Sequence, residues 1–529
     1  MTPDLLKFLL VLAKAGTIFL IYLICAVGVY ALFRRAVKSA DYAGVLFGIS
    51  MVIGPVLMSW ILTMMLIAMP GQTRLFYVLG PVVPFAVLVV LFSKGLVDSL
   101  KAHVGNWRKL FDSGIERAAW TVFALFILFV TLGAVLTLAA STPIHGNDSI
   151  EYQIVAWTVS QSLDASIYPI VDLETANGFS APWTHPMGYI NLLTHAYLVQ
   201  GFGDTSGVAR FVAPYFGFAL IVLMMGFGGF RNVMAGVVSA VFMICTPIFL
   251  HLIVQVHIDP IRLATLTAAI AAIWMVSQLD SWRLMVLAGI TAGCAMFVHS
   301  IGILTLPLAI PTYILIARRF GFVKHTVRIV VICAIAIGML TPRYAINHAQ
   351  FGSLVADSVE VWEMEKIAVA HTRLVTRYME TTPDKIVNGA LMGLSETTLF
   401  GWFQHIFFIA LFILILRTLM MLRREKRNPF RELINQRWRE WGDPSLAALF
   451  AALGYIAMMV LTVIMGSDLA VKNARYVMTM QPFVVMFAAR YLVLIYFDRF
   501  VHDTDAENKK GLIPKVSVDR IAVDKAAQS

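Results

Sequence analysis

The sequence predicts an all-α, polytopic transmembrane bundle of about thirteen spans, with outer loops that carry interfacial helices. Three observations carry that expectation. Apolar runs of roughly twenty residues recur along the whole chain, the length a helix needs to cross the hydrocarbon of a bilayer. Hydrophobic residues make up 59% of the chain and charged residues only 14%, against about one quarter charged in soluble domains. The net charge of +10 lies largely in short loops between the apolar runs, as in the cytoplasmic loops of membrane proteins. That placement accounts for the positive excess without a nucleic-acid partner.

Four apolar runs open the chain, near 10–33, 42–69, 74–93 and 119–140. They are separated by RRAVKSAD, a PGQT turn and a basic segment with Lys94, Lys101, Arg108, Lys109 and Arg117. Placing the basic loops in the cytoplasm puts the N-terminus and the 141–206 loop on the outer side. The first run carries Lys7 and Lys14, leads into Arg34 and Arg35 and lacks a small-residue cleavage site, so it reads as a span, not a leader. Within the outer loop, Tyr189 to Gly203 is short, interrupted by His195 and ends in GFGD, which predicts a helix lying in the interface.

Nine further spans are expected near 207–229, 233–252, 260–277, 284–300, 301–317, 326–341, 399–420, 445–465 and 476–496. Arg231, Arg283, the Arg318 to Arg328 cluster, the Arg423 to Arg439 run and the tail after Arg499 then fall in the cytoplasm. A second long polar segment, 342–398, shares the outer side with the first. The tail, 499–529, is expected to be disordered and cytoplasmic. Cys25, Cys245, Cys294 and Cys333 all sit inside apolar runs without metal-type spacing and read as packing residues.

Most of the chemistry-bearing residues fall at the outer border. A helix from Asp148 to Gln161 places Asp148 and Glu151 on one face, with Tyr152 beside them. Asp148, close to the end of a span, can serve as a general base on a hydroxyl nucleophile; the structural alternative is a helix cap in Asn147-Asp148-Ser149. Glu151 can share a proton or ligate a metal, or simply stand exposed on the helix. Asp259 lies in QVHIDP with Arg262 one turn along. A second acid there suits a divalent metal, held with Asp148, or an acceptor hydroxyl; a cap before Pro260 is the alternative. His257 reads as a boundary histidine and a weak ligand candidate.

Outer cations run against the positive-inside trend, so each needs a local partner. Arg343 lies in TPRYAINHAQFGS, and Lys472 and Arg475 in VKNARYVMTMQP. Phosphate or pyrophosphate is the natural partner, which arginine grips in a bidentate manner; lipid phosphates or Asp468 are the alternatives. The sequence has no Walker loop, dinucleotide fingerprint, HExxH or Gly-x-Ser-x-Gly elbow. Nucleotide-driven chemistry is therefore not expected.

The order of these elements resembles the GT-C membrane glycosyltransferases over about 120–500. Asp148 with Tyr152 four residues on resembles their first-loop motif. His185-Pro186, heading an amphipathic run, is similar to the HP element of the protein-mannosyltransferase and lipid A aminoarabinose-transferase branches. HIDPIRLATLTAAIAAI resembles their second-loop acid and following span, and GITAGCAMFVHSIGILTLPLAI their Gly-rich broken hairpin. TPRYAINHAQFGS and NARYVMTMQP look like the family's Pro-aromatic-Asn-Phe-Gly exit and Arg-Tyr entry. Ser149 stands where the family carries an adjacent second acid.

The resemblance implies a GT-C-like module over 119–498, with 1–118 as extra N-terminal transmembrane helices. It implies an inverting transferase of the inner membrane that moves a sugar from a polyprenyl phosphate to a hydroxyl acceptor on the periplasmic face. Asp148, Glu151 and Asp259 would be the catalytic acids, and Asp259 would orient the acceptor or a metal. Tyr152, His185, Arg343, Tyr344, Lys472, Arg475 and Tyr476 would contact substrate, with Arg343, Lys472 and Arg475 on the departing lipid phosphate. The competing classes are a transporter or flippase, an O-antigen ligase or polymerase, and a non-catalytic scaffold.

Overall fold

The computed structural model describes residues 3–37, 40–97, 101, 115–141, 147–165, 186–201, 207–230, 232–279, 281–316, 322–351, 397–424, 444–464 and 474–493. Among these residues all regular structure is helical, and none is strand. Seven helices are long and apolar enough to cross a membrane, or up to nine if each of two bent pairs is one span. The chain is thus a helical membrane protein.

The helices, in chain order, begin with α1 (Pro3–Arg34), α2 (Ala40–Ala68), α3 (Arg74–Leu79), α4 (Val83–Leu91), α5 (Ile115–Ser141) and α6 (Asn147–Ser162). Next come α7 (Gly188–Gln200), α8 (Val212–Phe227), α9 (Val233–Ile244), α10 (Pro247–Val254), α11 (Asp259–Gln278) and α12 (Trp282–Val298). The last are α13 (Thr305–Ile316), α14 (Phe322–Gly338), α15 (Thr341–Phe351), α16 (Phe403–Arg424), α17 (Pro444–Ile464) and α18 (Arg475–Val493).

Several expected spans are interrupted, and the breaks have local causes. The 74–93 run is two short helices, because Gly80 and Pro81 separate α3 from α4. Pro84 then sits in the first turn of α4, where its missing N–H costs nothing. The 233–252 run bends by 71° between α9 and α10, at Cys245-Thr246 ahead of Pro247. A second bend of 44° separates α14 from α15, ahead of Pro342. The 284–300, 301–317 and 399–420 runs appear as shorter apolar helices or stretches.

The core is organised on α11, whose described length is buried throughout. It packs against α2, α8, α10, α12, α13 and α17. Near its end, Trp274 is enclosed by Tyr42, Phe227 and Phe230 at ring separations of 5.6, 5.4 and 4.9 Å. By contrast, α5 exposes Phe123, Phe126 and Phe129 along its outer face, the surface expected of a helix facing lipid.

The helices of the N-terminal block share this core. α2 packs on both α1 and α8 at separations that only glycine allows. A Cβ on Gly54 would lie 2.5 Å from the Ala26 backbone nitrogen, and one on Gly48 2.5 Å from Leu223 Cα. Such close backbone approach strengthens dispersion contact where lipid removes the hydrophobic drive for helices to associate. Side-chain hydrogen bonds then lock α7 to this pair: Ser59 Oγ donates to the Gly188 carbonyl at 2.7 Å, and Asn191 Nδ2 to Thr63 Oγ1 at 2.6 Å.

The helix expected in the interface is therefore placed differently. Every residue of α7 from Gly188 to Leu198 is buried, whereas an interfacial helix keeps a polar face toward water. His195, which looked like an interruption, donates its Nε2–H to the Val78 carbonyl at 3.1 Å, since a carbonyl only accepts. At the other side of the bundle, the buried Gln481 of α18 donates to Thr246 Oγ1 and to the Phe400 carbonyl, each at 3.3 Å. Gln481 thereby ties α18 to the bend between α9 and α10.

A bulky residue at the α1–α2 crossing must force the backbones apart. Gly54→Val is expected to cost about 1–3 kcal/mol, read as a lower thermal unfolding midpoint in detergent. Gly133→Ala on α5, where nothing lies within 4 Å, should instead leave the midpoint no lower and raise it slightly, since alanine favours a helix interior over glycine.

Candidate functional site

The residues that hold the site begin at the first turn of α11. Pro260 fixes the backbone at a position where no helical N–H is needed, so the chain enters α11 at Asp259. Arg262 stands three residues along and reaches back, its Nη2 lying 2.6 Å from Asp259 Oδ1. His257 Nδ1 lies 2.8 Å from Asp259 Oδ2. Arg475, at the start of α18, completes the group, with Nε 3.9 Å from Oδ2 and Nη1 2.6 Å from His257 Nε2.

A guanidinium can only donate, so His257 Nε2 accepts from Arg475. The Asp259 backbone nitrogen lies 3.3 Å from His257 Nδ1. Asp259, Arg262 and Arg475 carry one negative and two positive charges, a net of about +1. Asp259 and Arg262 are almost fully enclosed, with side-chain exposures of 2% and 3%, while Arg475 is 33% exposed. The surplus positive charge can therefore meet a ligand through Arg475.

Backbone and ring contacts reinforce the arrangement. Arg262 Nη2 also donates to the Arg475 carbonyl at 2.6 Å, and the Arg262 guanidinium lies 5.3 Å from the Tyr476 ring centre. Tyr455 of α17 donates to the Tyr476 carbonyl at 2.8 Å. On the α7 side, Tyr189 is fully buried and within electrostatic reach of Asp259. Its hydroxyl has no hydrogen-bond partner among the described residues. The Tyr152 ring of α6 packs edge-on against Tyr189 at 5.3 Å, so α6 and α7 approach the same end of α11.

Of the residues singled out in the sequence, Asp259, Arg475 and Tyr476 come together, and Tyr152 lies behind Tyr189. Asp148 and Glu151 fall in the first turns of α6, which begins at Asn147 close to the expected place; their side chains lie outside what is described. His185 and Lys472 lie outside the described residues altogether. Arg343 and Tyr344 are half-buried on α15, which packs against α2. Neither residue enters the hydrogen bonds and ion pairs around Asp259.

The Asp259 carboxylate lies between the Arg262 and Arg475 guanidinium groups, a positively charged setting that disfavours a metal ion, and its Oδ2 has no hydrogen-bond partner among the described residues. Among the described residues no three His, Cys, Asp or Glu side chains converge to hold a metal ion. What the group offers is fixed positive charge for an anion. Comparison with family models, with curated proteins and with solved structures finds no match to this chain.

Removing one member of a buried ion pair strands the others. Asp259→Asn is expected to cost about 3–5 kcal/mol, measured by unfolding in detergent. Adding Arg262→Met should recover part of that loss, with a coupling of about 1–3 kcal/mol between the two sites. Strictly additive losses would show that the pair is not coupled.

Proposed function

We propose that the protein is an inverting glycosyltransferase that moves a sugar from a polyprenyl phosphate to a hydroxyl acceptor at the outer face of the inner membrane. The observation that carries this reading is the Arg475 guanidinium, held by Asp259 and His257 at the end of two apolar helices and still one-third exposed. A preorganised, partly desolvated arginine at a membrane border suits a lipid-borne phosphate. The resemblance of the sequence motifs to the GT-C enzymes supports the same reaction class. Seven long helices, two bent pairs and three shorter apolar helices would give twelve spans, near the thirteen expected, and the distribution of loop charge supports a site on the periplasmic side.

In this reading the acceptor oxygen attacks the anomeric carbon from the face opposite the lipid phosphate. The carbon–oxygen bond to phosphate breaks as the new glycosidic bond forms. Asp148 takes the acceptor proton, and the polyprenyl phosphate leaves with its charge offset by Arg475 and, behind it, Arg262. Asp259 then acts as a positioning residue, holding both guanidinium groups in place. Without its carboxylate they would repel each other.

A transporter or flippase for a lipid-linked or small solute has one observation in its favour: the two bent spans, of 71° and 44°, since discontinuous helices line many transport pathways. The two readings part on chemistry. In the transferase, Asp148→Asn abolishes sugar transfer while the purified variant keeps its fold and its affinity for polyprenyl phosphate. Full transfer by that variant would sink the role of Asp148. Arg475→Ala is expected to weaken polyprenyl phosphate binding about tenfold to a hundredfold, from the loss of a charge-assisted contact. Binding indifferent to Arg475, together with solute movement and no transfer, would establish the transporter.

A further inference from the structure

A second cationic site lies away from Asp259, where α1 ends against the segment after α4. A small cleft of about 70 Å³ opens there, lined by Arg34, Arg35, Phe92, Lys94 and Gly95 with Leu91 and its neighbours. Among the described residues that line it, three are cations and none is acidic. Arg34 Nη1 donates to the Val37 carbonyl, which anchors that guanidinium at the rim. Arg35 stacks 5.0 Å from the centre of the Phe92 ring. Arg35 and Lys94 are both exposed.

The surface leading to this cleft is apolar. The candidate span Ala15–Arg34 ends at its edge. Exposed on the same two helices are Leu32, Val83, Val87, Val90 and Leu91, the last two at 73% and 68%. A strip of exposed aliphatic side chains that ends in three cations has the two-part form of a phospholipid: acyl chains along α1 and α4, head-group phosphate in the basic cleft. Anionic phospholipids gain most from such a site, because each nearby cation adds attraction.

We propose that the cleft between the ends of α1 and α4 binds the phosphate head group of an anionic phospholipid. This inference does not rest on the transferase reading, and it gives the N-terminal helices a task of their own. The polyprenyl phosphate of the proposed reaction would sit elsewhere, at Arg475.

The test is native mass spectrometry of the detergent-purified full chain with added phosphatidylglycerol or phosphatidylcholine. Inorganic phosphate is used as a competitor, and thermal unfolding is followed in parallel. The parent should retain phosphatidylglycerol preferentially and be stabilised by it. The exposed pair Arg35→Gln/Lys94→Gln should weaken that binding about thirtyfold, since each cation contributes roughly a fivefold factor. Arg283→Gln should leave it intact. Equal retention of the two lipids, unchanged preference in the double variant, or stabilisation by inorganic phosphate alone would each overturn the proposal.

Discussion

The structure turns on an ion pair that cannot be left half-made. Asp259 and Arg262 open the most enclosed helix of the bundle with almost no exposure. Neither charge is tolerable there without the other. Arg475 and His257 join them, and the Arg262 guanidinium also holds the Arg475 carbonyl, 213 residues further along the chain. Electrostatics thus brings the start of α11 and the start of α18 to one place. The packing of α11 against six other helices holds that place from several sides.

The rest of the core follows rules suited to a setting where helix association gains little from water. Gly48 and Gly54 bring α2 against α8 and α1 at backbone contact. Hydroxyl side chains then cross-link helices through carbonyl acceptors: Ser59 to Gly188, Tyr22 to Leu192 and Tyr215 to Met51. Each of these bonds satisfies a buried donor and fixes one helix against another at the same time. The exposed faces of α4 and α5, by contrast, are aliphatic and aromatic.

The long spans were legible in the sequence because hydropathy over twenty residues is a strong and local signal. Segments α1, α2, α5, α8, α11, α17 and α18 lie close to their expected places. The breaks were less so: Pro81 and Pro247 lie inside apolar runs, and a moving average of hydropathy passes over them. Burial of α7 was illegible, since its mixed residues suit an interface as well as a core rich in hydrogen bonds. At the site, Asp259 and Arg475 each stood out as a charge beside an apolar run. Nothing local revealed that they meet, or that Arg343, singled out on the same grounds, would lie on α15 against α2. His257 was discounted because a lone histidine at a helix boundary has many uses, and only the pairing with Arg475 gives it one. Tyr189 and Tyr455 gave no signal, being aromatic residues in apolar helices.

Gln481 couples two features that look separate. It lies in the same helix as Arg475 and grips Thr246 at the corner between α9 and α10. Straightening that corner must either break the Gln481 bonds or drag α18 with it. Dragging α18 would pull Arg475 away from His257 and Asp259. The position of the cationic group is thus tied, through one side chain, to the shape of a corner in a different part of the chain.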